Sequence, residues 1–151
     1  MISNFDIEDF CRDLKLDLVG VFSKDQLPAQ KRAGSYYINL QDHNKGDGTH
    51  WTMFKIFPCG KVCYFDPFGV YMPQDVKDWL EPFAPIATNK RQIQDLDQEV
   101  CGRYCEACDY YLKYYLDPKI TPYDNFENFL SIFSDNPKLN QKILKEFLTI
   151  K

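Results

Sequence analysis

The chain has 151 residues, a length suited to one compact domain spanning residues 1–151. With 44% hydrophobic and 16% aromatic residues it has ample apolar area to bury, which excludes intrinsic disorder. No run approaches the ~18 consecutive apolar residues a membrane span needs. A formal net charge of −4 disfavours a general nucleic-acid binder, whose phosphate contacts require a surplus of Lys and Arg.

In chain order, residues 3–14 place Ile7, Phe10, Cys11 and Leu14 at helical spacing, with Ser3 or Asn4 available as cap and acidic residues early, where the helix dipole favours them. Residues 16–22 read as a strand ended by SKDQLP. Three aromatic and β-branched runs follow, 35–40 (SYYINL), 50–57 (HWTMFKIF) and 61–66 (KVCYFD), the last two joined by PCG as a hairpin. Large apolar residues on both faces of HWTMFKIF suit a central strand. Residues 74–80 predict a short helix and 90–94 a last strand. The longest helical signal, 101–116, carries Cys101, Tyr104, Cys105, Cys108, Leu112 and Tyr115 on one stripe and stops before Pro118. Helices near 125–133 and 137–148 complete the chain, the second with Asn136 as cap and Pro137 in its first turn. These elements predict an α+β fold, a small and mostly antiparallel sheet packed between helices, with Cys101 at the N-terminus of a central helix.

Imidazole chemistry rests on two histidines. His43 lies in a polar loop and reads as an exposed spectator. His50 opens a strong strand, where a rigid backbone can present a side chain to a loop-flanked cleft; a purely structural role at that strand end is the competing reading. If the hairpin forms around PCG, Asp66 comes beside His50 at one rim of the sheet, and a carboxylate there can fix the imidazole tautomer. Alternatively Asp66 is only a turn former before Pro67. Cys101 stands where the helix begins, so the exposed N–H groups and positive end of the dipole favour a thiolate. Cys11, Cys63, Cys105 and Cys108 read as small buried hydrophobes.

Gln94 precedes Cys101 by seven residues and could donate to an oxyanion together with the Cys101 N–H; Gln98 and Gln92 compete for that role, and any of the three could be a plain surface residue. The cysteine spacings lack the paired regularity of a structural zinc site, so neither metal nor other cofactor is expected. The start, MISNFDIEDF, is acidic and unlike a secretory signal, so an intracellular location with reduced thiols is expected.

Taken together, GTHW at 48–51, CYFDPFG at 63–69 and Gln94 seven residues ahead of Cys101-Gly102 resemble the adenovirus-type maturation proteases, within the wider group that includes the Ulp-type SUMO proteases. LVGVFSKDQLP and NPKLNQKILKEFL are also similar to the flanks of that family. The resemblance implies His50 as base, Asp66 as its orienting acid, Gln94 as oxyanion donor and Cys101 as nucleophile, with Trp51, Gly48 and Gly102 lining the substrate cleft. It implies a cysteine endopeptidase that cuts capsid or core precursors of a DNA virus after small, Gly-containing motifs, in the infected cell's cytoplasm or nucleus and inside the virion. It points to protein partners and no membrane, and nucleic acid enters by family analogy alone, against the charge. Asp66 stands where adenain commonly has Glu. The same constellation could serve a deubiquitinase-like or deSUMOylase-like isopeptidase, or survive in a non-catalytic binding domain.

Overall fold

A computed structural model of the chain describes residues 2–40, 50–95 and 100–149. Its strands form one five-stranded sheet in the order β1 (Leu18–Ser23), β2 (Gly34–Asn39), β3 (Trp51–Ile56), β4 (Val62–Phe65), β5 (Ala87–Thr88). The fold is α+β and the sheet is mixed. Its two inner pairings, β2 with β3 and β3 with β4, are antiparallel, while β1 lies parallel to β2 and β5 parallel to β4. Each outer strand is reached by a crossing connection rather than a hairpin, and such a connection makes a pair parallel.

All six residues of β3 are buried because both faces of the sheet are covered. On one side, Trp51, Met53 and Phe57 meet helices α1 (Asn4–Asp13), α3 (Cys101–Tyr114), α4 (Pro122–Leu130) and α5 (Pro137–Thr149), which contribute Ile7, Tyr104, Leu112, Phe126, Phe129 and Leu144. On the other, Tyr36, Phe54, Ile56 and Tyr64 pack against Val76 and Leu80 of α2 (Gln74–Leu80). Each such side chain contributes roughly 1.5–3 kcal/mol of burial free energy. Helix α1 begins with a reciprocal cap: Ser3 Oγ accepts from the Asp6 N–H, and the Asp6 carboxylate accepts from the Ser3 N–H.

One buried polar knot sets where α3 lies on the sheet. The Asp109 carboxylate accepts from Ser35 Oγ at 2.6 Å, Tyr37 Oη at 2.9 Å and Cys11 Sγ at 3.8 Å, so three donors from β2 and α1 converge on one group of α3. Burial pushes the Asp109 carboxyl above its ordinary range, while these donors and the nearby Lys55 charge oppose that rise. Cys11 is thus buried and also part of a hydrogen-bonded network, a role its helical spacing does not reveal.

The last strand is Ala87–Thr88, not residues 90–94. The segment after β5 is irregular, and side chains hold it in place of a ladder. Asn89 Nδ2 donates to the carbonyls of Asp66 (2.6 Å) and Arg91 (3.2 Å), and Asn140 Nδ2 donates to the Ile93 carbonyl at 2.9 Å. The Arg91 guanidinium donates to the carbonyls of Leu130, Phe133 and Ser134, serving acceptors that the end of α4 leaves without intrahelical partners. No helix among the described residues is long and apolar enough to cross a membrane.

Candidate active site

The β3–β4 register, with Met53 opposite Phe65, brings the residue before β3 next to the residue after β4. His50 Nε2 lies 2.8 Å from Asp66 Oδ1. The imidazole stacks on Phe68 with ring centroids 4.4 Å apart, so its plane is held by an aromatic face as well as by the carboxylate. Asp66 is held in turn. Its Oδ1 also accepts the Phe68 N–H at 2.8 Å, its own N–H donates to Asn89 Oδ1 at 3.0 Å, and its carbonyl takes the Asn89 amide. The turn closes when Gly69 donates its N–H to the Asp66 carbonyl at 2.8 Å. Gly69 has φ of +74°, and a Cβ there would stand 2.8 Å from the Arg91 carbonyl oxygen, so only glycine suits the position.

With Nε2 engaged by Asp66, Nδ1 is the nitrogen left for chemistry. It is buried and has no hydrogen-bond partner among the described residues. Burial is the largest influence on this imidazole and disfavours its cationic form. The Asp66 hydrogen bond, the neighbouring Cys101 and the charges of both outweigh it and raise the His50 pKa to about 9. A second carboxylate oxygen, Asp66 Oδ2, is also buried without a partner among the described residues.

Cys101 is the first residue of α3. The Trp51 backbone N–H points at its sulfur, 3.3 Å away, and joins strand and helix at the site. Among the described residues no side chain caps α3, and the N–H groups of Arg103 and Tyr104 both bond the Val100 carbonyl, at 3.0 and 3.2 Å. Cys105, one turn on, donates from Sγ to the Trp51 carbonyl at 3.5 Å, and burial pushes both its thiol and that of Cys108 well above the ordinary range. Burial likewise raises Cys63 to about 12. No three His, Cys, Asp or Glu side chains among the described residues converge as a metal site.

Gln94 is fully buried in the segment after β5. The Pro67 carbonyl accepts the N–H groups of both Ile93 and Gln94 at 2.9 Å, which moors Gln94 to the turn that carries Asp66. The Gln92 side-chain amide donates to the Gln94 carbonyl at 2.8 Å, which ties it to the backbone of Gln94. Trp51 is 5% exposed, and its indole N–H donates to the Ile2 carbonyl at 3.1 Å. Gly102 is buried, with Ile2 lying where its side chain would be. Gly48, Gln98 and His43 lie outside the described residues. Asn89, Arg91 and Asn140 escape the sequence reading, because their bonds run to residues remote in the chain.

No protein-family model matches the chain, and no curated protein sequence does so either. Among solved structures, the chain is similar to a selenomethionine crystal structure of an ASFV protease, at 14% sequence identity and a TM-score of 0.46. That alignment covers 89% of this chain and 68% of the other. Among the described residues, His50, Asp66 and Cys101 together present an oriented imidazole with one unbonded nitrogen, a thiol at a helix start without a side-chain cap, and a carboxylate that stabilises the imidazolium.

Proposed function

We propose that this protein is a cysteine endopeptidase with Cys101 as nucleophile, His50 as base, Asp66 as orienting acid and Gln94 as oxyanion donor. The single observation that carries the reading is the 2.8 Å His50–Asp66 contact, which leaves Nδ1 without a partner among the described residues on an imidazole that Cys101 neighbours. His50 Nδ1 takes the thiol proton, and the resulting thiolate attacks a peptide carbonyl carbon. Negative charge builds on the carbonyl oxygen, where the Cys101 N–H and the Gln94 amide donate; donors of this class are worth ~3–4 kcal/mol each in the transition state. The imidazolium then protonates the leaving amine. Water, deprotonated by the now neutral His50, attacks the thioester, releases the acid product and restores the thiol.

The preferred substrates are precursors of a viral capsid or core, cut after small residues in Gly-containing motifs. The resemblance of GTHW, DPFG and Cys-Gly to the adenovirus-type family supports this. Peptides carrying Gly-Gly and Gly-x-Gly sites, incubated with wild type and with Cys101→Ala, test the proposal by fragment mass. Cleavage after the small residue by wild type alone is expected. No cleavage of any such peptide, or equal cleavage by Cys101→Ala, would overturn it. Cleavage of a ubiquitin-like C-terminal reporter in preference to these peptides would favour the isopeptidase reading.

A further inference from the structure

Residue 2 precedes α1, yet its surroundings belong to the candidate site. Its carbonyl accepts the Trp51 indole N–H at 3.1 Å. Its side chain rests on the α3 backbone: a Cβ on Gly102 would come 2.4 Å from Ile2 Cγ1 and Cδ1, and 3.3 Å from Trp51 Cδ1. Trp51 follows His50 on β3, and Gly102 follows Cys101 on α3. Ile2 therefore bridges β3 and α3 at the residues that follow His50 and Cys101. Cys101 itself is only 2% exposed.

We infer that Ile2 is an intramolecular strap that occupies part of the substrate cleft and is displaced when substrate enters. The inference rests on the protease reading of the same site and adds a control of access to it. The two ends are held differently: among the described residues, half-buried Ile2 is held by side-chain packing and one hydrogen bond at its carbonyl, whereas Ser3 is pinned to α1 by its reciprocal bonds with Asp6. Residue 2 can thus swing about Ser3 while α1 stays on the sheet. Gly102 has a physical task in this arrangement, since any larger residue would close the room that Ile2 fills.

Because a covered cleft binds only in its open fraction, a strap closed nine-tenths of the time lowers apparent affinity about tenfold. The experiment compares wild type, Ile2→Ala and Ile2→Val, all with Cys59→Ser so that the exposed thiol does not compete. Two rates are read on each protein: alkylation of Cys101 by iodoacetamide, located by peptide mass, and cleavage of a Gly-containing peptide. Ile2→Ala should speed alkylation by about three- to tenfold and lower KM in proportion, with kcat within about twofold, and Ile2→Val should fall near wild type. Unchanged or slower alkylation in Ile2→Ala overturns the strap, as does a loss of kcat at constant KM, which would make Ile2 a structural wall. Faster alkylation in Ile2→Ala without peptide cleavage by any variant would sustain the strap and sink the protease reading. Cleavage by wild type with alkylation indifferent to residue 2 would do the reverse.

Discussion

Cys101 and Cys105 stand one turn apart on α3, both buried, and both touch the backbone of Trp51. They meet opposite ends of that residue. The Trp51 N–H donates to the Cys101 sulfur, whereas the Trp51 carbonyl accepts from Cys105, a bond that uses the Cys105 thiol proton. Cys101 also has the His50 imidazole beside it, while burial, reinforced by the nearby Cys101, Cys108, Asp66 and Glu106, pushes the Cys105 thiol well up. Burial alone therefore does not distinguish a reactive thiol from an inert one. The hydrogen-bonding partner and the adjacent titratable group do.

The sharpest way to break this comparison is to exchange the two sites by mutation. Cys101→Ala should reduce kcat/KM by about 10⁴-fold or more, since a nucleophile has no substitute. Cys105→Ala should stay within about threefold of wild type in kcat/KM and instead cost ~1 kcal/mol of stability, seen as a lower Tm. Equal activity losses would mean that α3 tolerates no thiol removal at all and that the distinction between the sites is false.

Removing the imidazole comes next. His50→Ala should lower kcat/KM by about 10³- to 10⁴-fold, and Asp66→Asn by about 10²-fold, because the amide keeps the ring in place but cannot stabilise its charge. The same Asp66→Asn change should drop the His50 pKa, as burial then acts against the cation with one opposing partner gone; a proton NMR titration of the ring reads this directly.

The pH dependence of stability follows in sign. A folded-state pKa near 9 against an ordinary 6.5 means that the fold favours the imidazolium. The stability so gained is fully present below pH 6.5 and is lost as pH rises toward 9. Denaturation midpoints of wild type and Asp66→Asn should accordingly converge between those two pH values. The smallest expected effect concerns the support of Asp66. Asn89→Ala removes bonds to the Asp66 N–H and carbonyl, and should cost ~1–3 kcal/mol of stability with a few-fold loss of kcat.

What the sequence made visible was local. The aromatic and β-branched runs mark β2, β3 and β4, and the short hairpin between Ile56 and Val62 brings His50 to Asp66 from a separation of 16 residues. The start of α3 at Cys101 follows from its apolar stripe. Residues 90–94 resist the same reading because their bonds run to Asn140 and to the end of α4, some 40 residues on, and leave no periodic trace. The parallel placement of β1 is equally hidden. It rests on the crossing connection between Ser23 and Gly34 and on a five-position ladder to β2, which no alternation pattern encodes. Ile2 against Gly102, and Cys11 against Asp109, join residues about a hundred positions apart, and only the folded chain brings them together.

The central claim is that His50 activates Cys101. Its most direct test is the rate of iodoacetamide alkylation at Cys101 near neutral pH, mapped by peptide mass, in wild type and in His50→Ala. The account predicts that loss of the imidazole slows Cys101 by at least about tenfold while the exposed Cys59 reacts as before. Equal Cys101 rates in the two proteins would contradict it.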